Sequence, residues 1–269
     1  MQLRSFSPED VPAFLDLAGA EGWVCDRWEF GFLLETFPRG CFCAVEDGRP
    51  VAFVTSVCYG ASGWIGNLLV EEGKRGRGYG TLLMRRSLDE LLAVGASTVW
   101  LTASLAGRPI YEKMGFREID QVTRWAGRGA GKACECADTI PLGEMIALDR
   151  AGWGDDRQTI LAAVATRGTL LRGSGGFLVV QRCGNDFQLG PWSGGGRRES
   201  SALLKRALSV VDEGDTVVLD VPVRNVDAAA LLNASGFAVV GRTSLMVVGD
   251  DPAYEPTRIF ALASMGSMG

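Results

Sequence analysis

Leu68-Leu69-Val70-Glu71-Glu72-Gly73-Lys74-Arg75-Gly76-Arg77-Gly78-Tyr79-Gly80-Thr81-Leu82-Leu83-Met84 runs from an apolar strand, through a turn rich in glycine and arginine, into a helix. Gly76, Gly78 and Gly80 alternate with Arg77 and Tyr79, so the backbone can take conformations closed to residues with a Cβ. Each glycine also leaves its N–H open to a ligand. Leu82, Leu83, Leu88, Leu91 and Leu92 recur behind the turn at helical spacing. The first N–H groups of such a helix have no intrahelical partners and carry the positive end of its dipole. Strand, glycine loop and helix N-terminus in this order form a cradle for a pyrophosphate. Arg75 and Arg77 add positive charge at the same place.

Two common phosphate loops do not fit. A Walker loop requires Gly-x4-Gly-Lys-Ser/Thr, and here Lys74 is followed by Arg75. A dinucleotide fingerprint requires G-x-G-x-x-G in a βαβ unit, whereas this loop reads G-x-G-x-G after strands joined by tight turns. A second segment, Gly107-Arg108-Pro109-Ile110-Tyr111-Glu112-Lys113-Met114-Gly115-Phe116, follows the apolar strand Val99-Trp100-Leu101-Thr102-Ala103. Arg75-x-x-Gly78-x-Gly80 resembles the acyl-CoA loop of the GNAT family of N-acetyltransferases. The second segment resembles the GNAT helix that carries a tyrosine four residues ahead of a Gly-Phe pair. Singly, the first also reads as a solvated basic turn and Tyr111 as a helix aromatic packed on the sheet. Both together, in order, favour the functional reading.

The resemblance implies acetyl-CoA as acyl donor. Its pantetheine arm would pair with the backbone of Leu68, Leu69 and Val70, with an N–H near Leu69 or Val70 holding the thioester oxygen. Its pyrophosphate would sit on Arg75, Gly76, Arg77, Gly78, Tyr79, Gly80 and Thr81, and Tyr111 would protonate the departing CoA thiolate.

Composition narrows the remaining classes. The chain has 269 residues, 47% hydrophobic and 22% charged, as in an ordinary globular protein with room for two domains. A net charge of −5 disfavours nucleic acid or an anionic membrane as partner. Neither a signal-peptide core nor a bilayer-length apolar run is visible, so a cytoplasmic location is expected. Histidine is absent, which excludes Ser-His and Cys-His nucleophile pairs and His-containing zinc motifs. Seven cysteines do not suggest a disulfide scaffold. Cys41-x-Cys43 reads as a buried strand pair and Cys134-x-Cys136 as exposed linker thiols; no metal is assigned.

Along the chain, Gln2–Phe6 reads as a strand and Ser7-Pro8-Glu9-Asp10 as a helix start. Asp26 caps a second helix bearing Trp28, Phe32, Leu33 and Phe37. The resemblance places this pair of helices over the acceptor, making Trp23, Asp26 and Trp28 its candidate contacts. Asp26, Glu21 and Glu29 are the candidate bases, and a water relay would need none of them. Asp47-Gly48 marks a hairpin, and Gly66-Asn67 a bulge that would open the last meander strand from its neighbour. Strands over 97–103 and 116–125 flank the Tyr111 helix.

Residues 129–141 read as a linker between an N-terminal GNAT domain, 1–128, and a C-terminal one, 142–269. Leu82-Leu83 and Gly115-Phe116 recur as Leu203-Leu204 and Gly236-Phe237, both 121 residues later (203 − 82, 236 − 115). Carried through, that offset sets Arg75 against Gly196, Gly78 against Glu199, Gly80 against Ser201, Tyr111 against Leu232 and Ser104 against Asn225. The second copy therefore keeps its fold determinants and loses its ligand determinants, and is expected to shape the acceptor site without catalysing. The fold expected is α/β (α+β): two GNAT-like domains, each a mixed, mainly antiparallel twisted sheet flanked by helices. The function expected is transfer of acetyl from acetyl-CoA to a primary amine on a small molecule or peptide, by a monomer or homodimer. A non-catalytic acyl-CoA-binding regulatory module and a scaffold protein are the other readings.

Overall fold

Asp47 and Gly48, at φ 53° and 76°, turn the chain back on itself and start the antiparallel meander of the first half. The computed structural model describes residues 2–131 and 137–269, so Cys134 and Cys136 lie outside the described residues. The first half holds β1 (Gln2–Ser5), α1 (Val11–Ala20), α2 (Arg27–Thr36), β2 (Phe42–Glu46), β3 (Arg49–Cys58), β4 (Ser62–Val70), α3 (Tyr79–Ala93), β5 (Thr98–Ala103), α4 (Arg108–Glu112) and β6 (Arg117–Arg128). The second holds α5 (Leu142–Trp153), α6 (Gln158–Arg167), β7 (Thr169–Gly173), β8 (Gly176–Cys183), β9 (Asp186–Ser193), α7 (Arg197–Val210), β10 (Thr216–Pro222), α8 (Val226–Ala234), β11 (Ala238–Gly249) and β12 (Ile259–Ala261). Two helices precede β7, because Gly154, at φ 76°, ends α5 and α6 starts afresh at Gln158.

The two halves share one sheet, ordered β1-β2-β3-β4-β5-β11-β6-β10-β9-β8-β7, with β12 added against β9. Each half gives its last long strand to the other. β11 pairs with β5 from Ser244↔Ala103 to Gly249↔Thr98, and β6 pairs with β10 from Thr216↔Arg128 to Pro222↔Val122. The exchanged strands β6 and β11 then pair antiparallel with each other at the centre. The pairs β4–β5 and β9–β10 are parallel, and the other ladders antiparallel.

The core follows the exchange. One cluster joins Leu33, Val57, Trp64 and Trp100 of the first half to Met145, Trp153, Ile160 and Phe177 of the second. Trp153 meets the ring of Trp64 at 6.2 Å and that of Trp100 at 5.4 Å, both edge to face. The buried Arg157 guanidinium lies 4.4 Å over Trp153 and donates twice to Asp149, at 2.8 Å each. Asp155 accepts from Ala61 N–H at 3.0 Å, Ser62 N–H at 2.9 Å and Ser62 Oγ at 2.6 Å, binding the second half to the β3–β4 turn.

A sheet and a core held in common imply one cooperative unit. Trp153→Ala should cost about 3–5 kcal/mol while leaving a single denaturant transition. Two separated transitions, in either protein, would mean that the halves fold independently.

Candidate active site

β4 and β5 pair only where Ser62–Trp64 meet Thr98–Trp100, and then diverge. The cause is local to β4. Pairing with β3 passes from Thr55↔Gly66 to Phe53↔Leu69, so β4 spends one residue more than its partner over this interval. Asn67 takes up the slack at φ 54°, a conformation asparagine tolerates better than most residues. The expected bulge at Gly66-Asn67 is present. Its side chain is turned inward, where Nδ2 donates to Glu29 Oε1 at 2.9 Å and Thr55 Oγ1 at 3.1 Å.

Beyond the bulge, Leu68 and Val70 face the fork while Leu69 is buried with Phe14 and Phe53 on the opposite side. Gly76 and Gly78, at φ 76° and 86°, bend the loop, and Gly78 caps α3. The first α-helical bond is Leu82 N–H to Gly78 O, which leaves the N–H groups of Tyr79, Gly80 and Thr81 ahead of the ladder. Gly80 itself is helical. A Cβ there would point between Leu68, Val70 and the Ile110 side chain, 3.8 Å from each, and fill the mouth of the fork. The ring of Tyr79 is buried in the core, which leaves only its backbone open to the loop. Arg75 bonds to Val70 O at 3.1 Å and pairs with Glu21. Lys74 and Arg77 share Glu46, at 2.5 and 3.8 Å. Such half-exposed pairs are worth about 0–1 kcal/mol, so a polyphosphate can exchange for them.

A cavity of about 440 Å³ runs from the fork to the junction of the two halves. At its fork end lie Ile65, Leu68, Leu101 and Tyr111; at the other lie Trp23, Asp26, Arg124, Gln188 and Cys183, with residues 263–268 along one wall. Burial alone pushes the Tyr111 phenol up to about 12. Glu29 lines the middle, 9% exposed. Burial raises its carboxyl above the ordinary glutamate range, against the opposing pull of hydrogen bonds from Asn67 and Ser267. Glu21 and Asp26, the other two carboxylates read as candidate bases, are committed to Arg75 and Arg167. Trp23 and Asp26 line the cavity; Trp28 does not, being stacked on Phe32 with the Arg167 guanidinium 4.4 Å over its ring. Sequence reasoning left Glu29 as one of three. Its register could have singled it out, because it stands one turn from Leu33 on the buried stripe of α2.

Family comparison bears on both halves. Residues 5–116 match the model of the acetyltransferase (GNAT) family, and residues 145–261 match that of an acetyltransferase (GNAT) domain. The chain belongs to the GNAT family. It is an N-acetyltransferase with two GNAT domains in tandem. A holothin acyltransferase of a Pseudoalteromonas strain is 25% identical over 262 residues, 90% of this chain and 87% of that one. A Pyrococcus horikoshii crystal structure, described as a candidate acetyltransferase, superposes with a TM-score of 0.82 at 23% identity, covering 98% of this chain and 95% of that chain. A GCN5-related N-acetyltransferase of Sphaerobacter thermophilus gives 0.66 at 17% identity, over 97% and 98%.

The second GNAT domain has a fork of its own. β9 and β10 pair only at Val217↔Phe187 and Val218↔Gln188. β12 fills the gap: Ile259 and Ala261 pair with Ser193 and Trp192 of β9, and Leu262 N–H donates to Asp220 O of β10. Asn225 caps α8 and donates to Ile259 O at 2.9 Å, fastening β12 in place. The 121-residue offset holds for β6 against β11 (238 − 117, 249 − 128). It also holds for Tyr111 against Leu232, whose carbonyls both accept from a phenylalanine N–H five residues on, at 3.1 Å. In the loop it fails. Gly78 and Gly196 are both helix caps, 118 apart (196 − 78), and only Gly194, Gly195 and Gly196 separate β9 from α7. Glu199 is thus a residue of the first turn of α7 rather than the counterpart of Gly78. The buried helix faces match at 120 (203 − 83, 204 − 84, 207 − 87, 211 − 91).

One fork left open by the chain and one filled by β12 lead to the expectation of one donor per chain. Calorimetry should give a single equivalent of acetyl-CoA. Gly78→Val, strained at φ 86°, should weaken that binding at least ~10-fold, since αL is costly for a β-branched residue. Two equivalents would mean that β12 yields its place.

Proposed function

We propose that the enzyme transfers acetyl from acetyl-CoA to a primary amine of a small-molecule acceptor. The observation that carries this is the single cavity joining Tyr111, at the fork, to Glu29 and the junction of the domains. The fork offers what the donor needs: a diverging strand edge at Leu68–Val70, a side-chain-free surface at Gly80, and free N–H groups at the start of α3. Acetyl-CoA would supply the activated acyl group. The acceptor side is walled by residues 22–26 and 263–268, which suits a compact molecule better than an extended chain. The acyltransferase relative named for holothin also supports a discrete acceptor.

In this reading Glu29 takes the proton that the amine loses as its nitrogen bonds to the acyl carbon and the C–S bond breaks. A carboxyl raised by burial is a stronger base than an exposed one and is better matched to work near neutral pH. Tyr111, at about 12, stays protonated at neutral pH. A phenol there is a weaker acid than an ordinary thiol near ~8.5. Tyr111 therefore donates a hydrogen bond to the sulfur as charge develops; Glu29 passes the amine's proton on to solvent, and the released thiolate takes its proton from solvent. The geometry supplies positioning and polarisation, which need no covalent enzyme intermediate.

Tyr111→Phe should lower kcat by ~10²-fold with little change in the acetyl-CoA KM; an unaltered kcat would leave Tyr111 a packing residue. The Glu29 base must be unprotonated, so kcat/KM should rise with pH along a limb above the usual glutamate range near ~4.3. Glu29→Gln should remove that limb and cost ~10²-fold in rate. A pH profile unmoved by Glu29→Gln would point to a water relay instead.

A further inference from the structure

Glu29 is reached by a hydrogen-bond donor from each half of the chain. From the first half, Asn67 Nδ2 donates to Glu29 Oε1 at 2.9 Å and to Thr55 Oγ1 at 3.1 Å, so the amide cannot turn without losing both bonds. Asn67 and Thr55 are themselves buried. From the second half, the hydroxyl of Ser267, also buried, bonds to the same carboxyl. A hydroxyl has one hydrogen, so with that hydrogen on Glu29 its oxygen accepts from Ser264 Oγ, 2.7 Å away. The two donors are also tied together. Asn67 N–H donates to the carbonyl of Gly266, the neighbour of Ser267, at 3.3 Å, and Ser267 N–H donates to Ser264 Oγ at 3.3 Å.

A buried carboxylate without donors would take up a proton and hold it, and a carboxylic acid is no base. Hydrogen bonds to the ionised form oppose that cost of burial. The other groups around Glu29 do little to replace them. Asp26 and Arg167 act on it with opposite sign and are paired with each other. Burial pushes the Cys25 and Cys183 thiols up to about 12 and about 11, so they stay uncharged. Arg124, paired with Asp220, and Arg182, Arg242 and Tyr111 also line the cavity. Resting on the acyl-transfer reading, we infer that Asn67 and Ser267 are positioning residues for the Glu29 base, one from each half, which hold its carboxyl on the cavity wall in the ionised form that can take a proton from the acceptor amine. The second half, with a leucine as counterpart of Tyr111, thereby takes part in the proton step.

The carbon-13 resonance of Glu29 Cδ, identified by its absence from Glu29→Gln, reads this directly in the 269-residue protein. Its titration midpoint should rise by ~1 pH unit in Asn67→Gly and in Ser267→Ala, the scale of losing a hydrogen bond to a charged group. Glycine keeps the φ of 54° at the bulge without strain. Asn67→Asp keeps the volume, so no water enters in place of the amide, and sets a second carboxylate beside Glu29. There the midpoint should rise further. A residue whose variants leave the midpoint unmoved, or lower it, drops out of the assignment. Weaker acetyl-CoA binding or a lower Tm with an unmoved midpoint would mark its role as structural only and overturn it too. The pH profile of Glu29→Gln keeps the two readings apart. If that substitution removes the limb and the midpoint does not respond to Asn67 or Ser267, only their positioning role falls. If the profile is unmoved while the midpoint shifts, the Glu29 base falls, and the catalytic part of its two partners with it.

Discussion

Parallel strands that separate leave backbone N–H and C=O groups facing a gap, and buried groups of that kind must find partners. This constraint governs both halves of the molecule. In the second half the chain satisfies it with its own strand, β12, between β9 and β10. In the first half the gap beyond Ser62–Trp64 stays open toward α3. Only its apex is closed, where Thr102 Oγ1 donates to Met265 O at 2.5 Å and Asn67 N–H to Gly266 O at 3.3 Å. One segment, residues 259–268, thus plugs one fork and walls the other. Gly66 is glycine for this reason, since a Cβ there would sit 2.2 Å from Gly266 O.

The strand exchange makes this economy possible. Because β11 lies between β5 and β6, the end of the chain emerges beside the first fork. The same crossing brings Asp220 opposite Arg124 and lets residues of both halves meet in one cavity. The far end of the cavity belongs to neither half. Its chemistry depends on register across β6, β10 and β11, and a slip of one residue would turn Arg124 out of the cavity.

What the sequence made legible was what is local. The loop glycines, the bulge and Tyr111 depend on neighbours a few residues away, so their residue types announce them. The fold class and the duplication could be read for the same reason, from turn signals and a spacing that is 121 at the exchanged strands and 120 at the helix face. Strand exchange could not, because nothing in the residues of Arg117–Arg128 names the strand they will meet. The offset misled in the loop, where the second copy is shorter by several residues and both flanking elements still look alike. The places of Glu29 and Arg124 in the cavity were hidden because their partners, Asn67 and Asp220, lie 38 and 96 positions away. The signals that remained were a carboxylate on an apolar helix stripe and an aspartate inside Val217–Val221.

The covalent link between the halves has a further consequence. In a symmetric pair of separate identical chains, every change of residue appears twice, so a contact cannot be improved on one side of the axis without altering the other. Here the axis is only approximate, and the two sides are encoded separately. Tyr111 has a leucine, Leu232, as its counterpart, and an open fork is matched by a filled one. Joining the copies lets one fork be filled while the segment that fills it continues into a wall of the other's cavity. Asymmetry of that kind is open to a duplicated gene and closed to a homodimer.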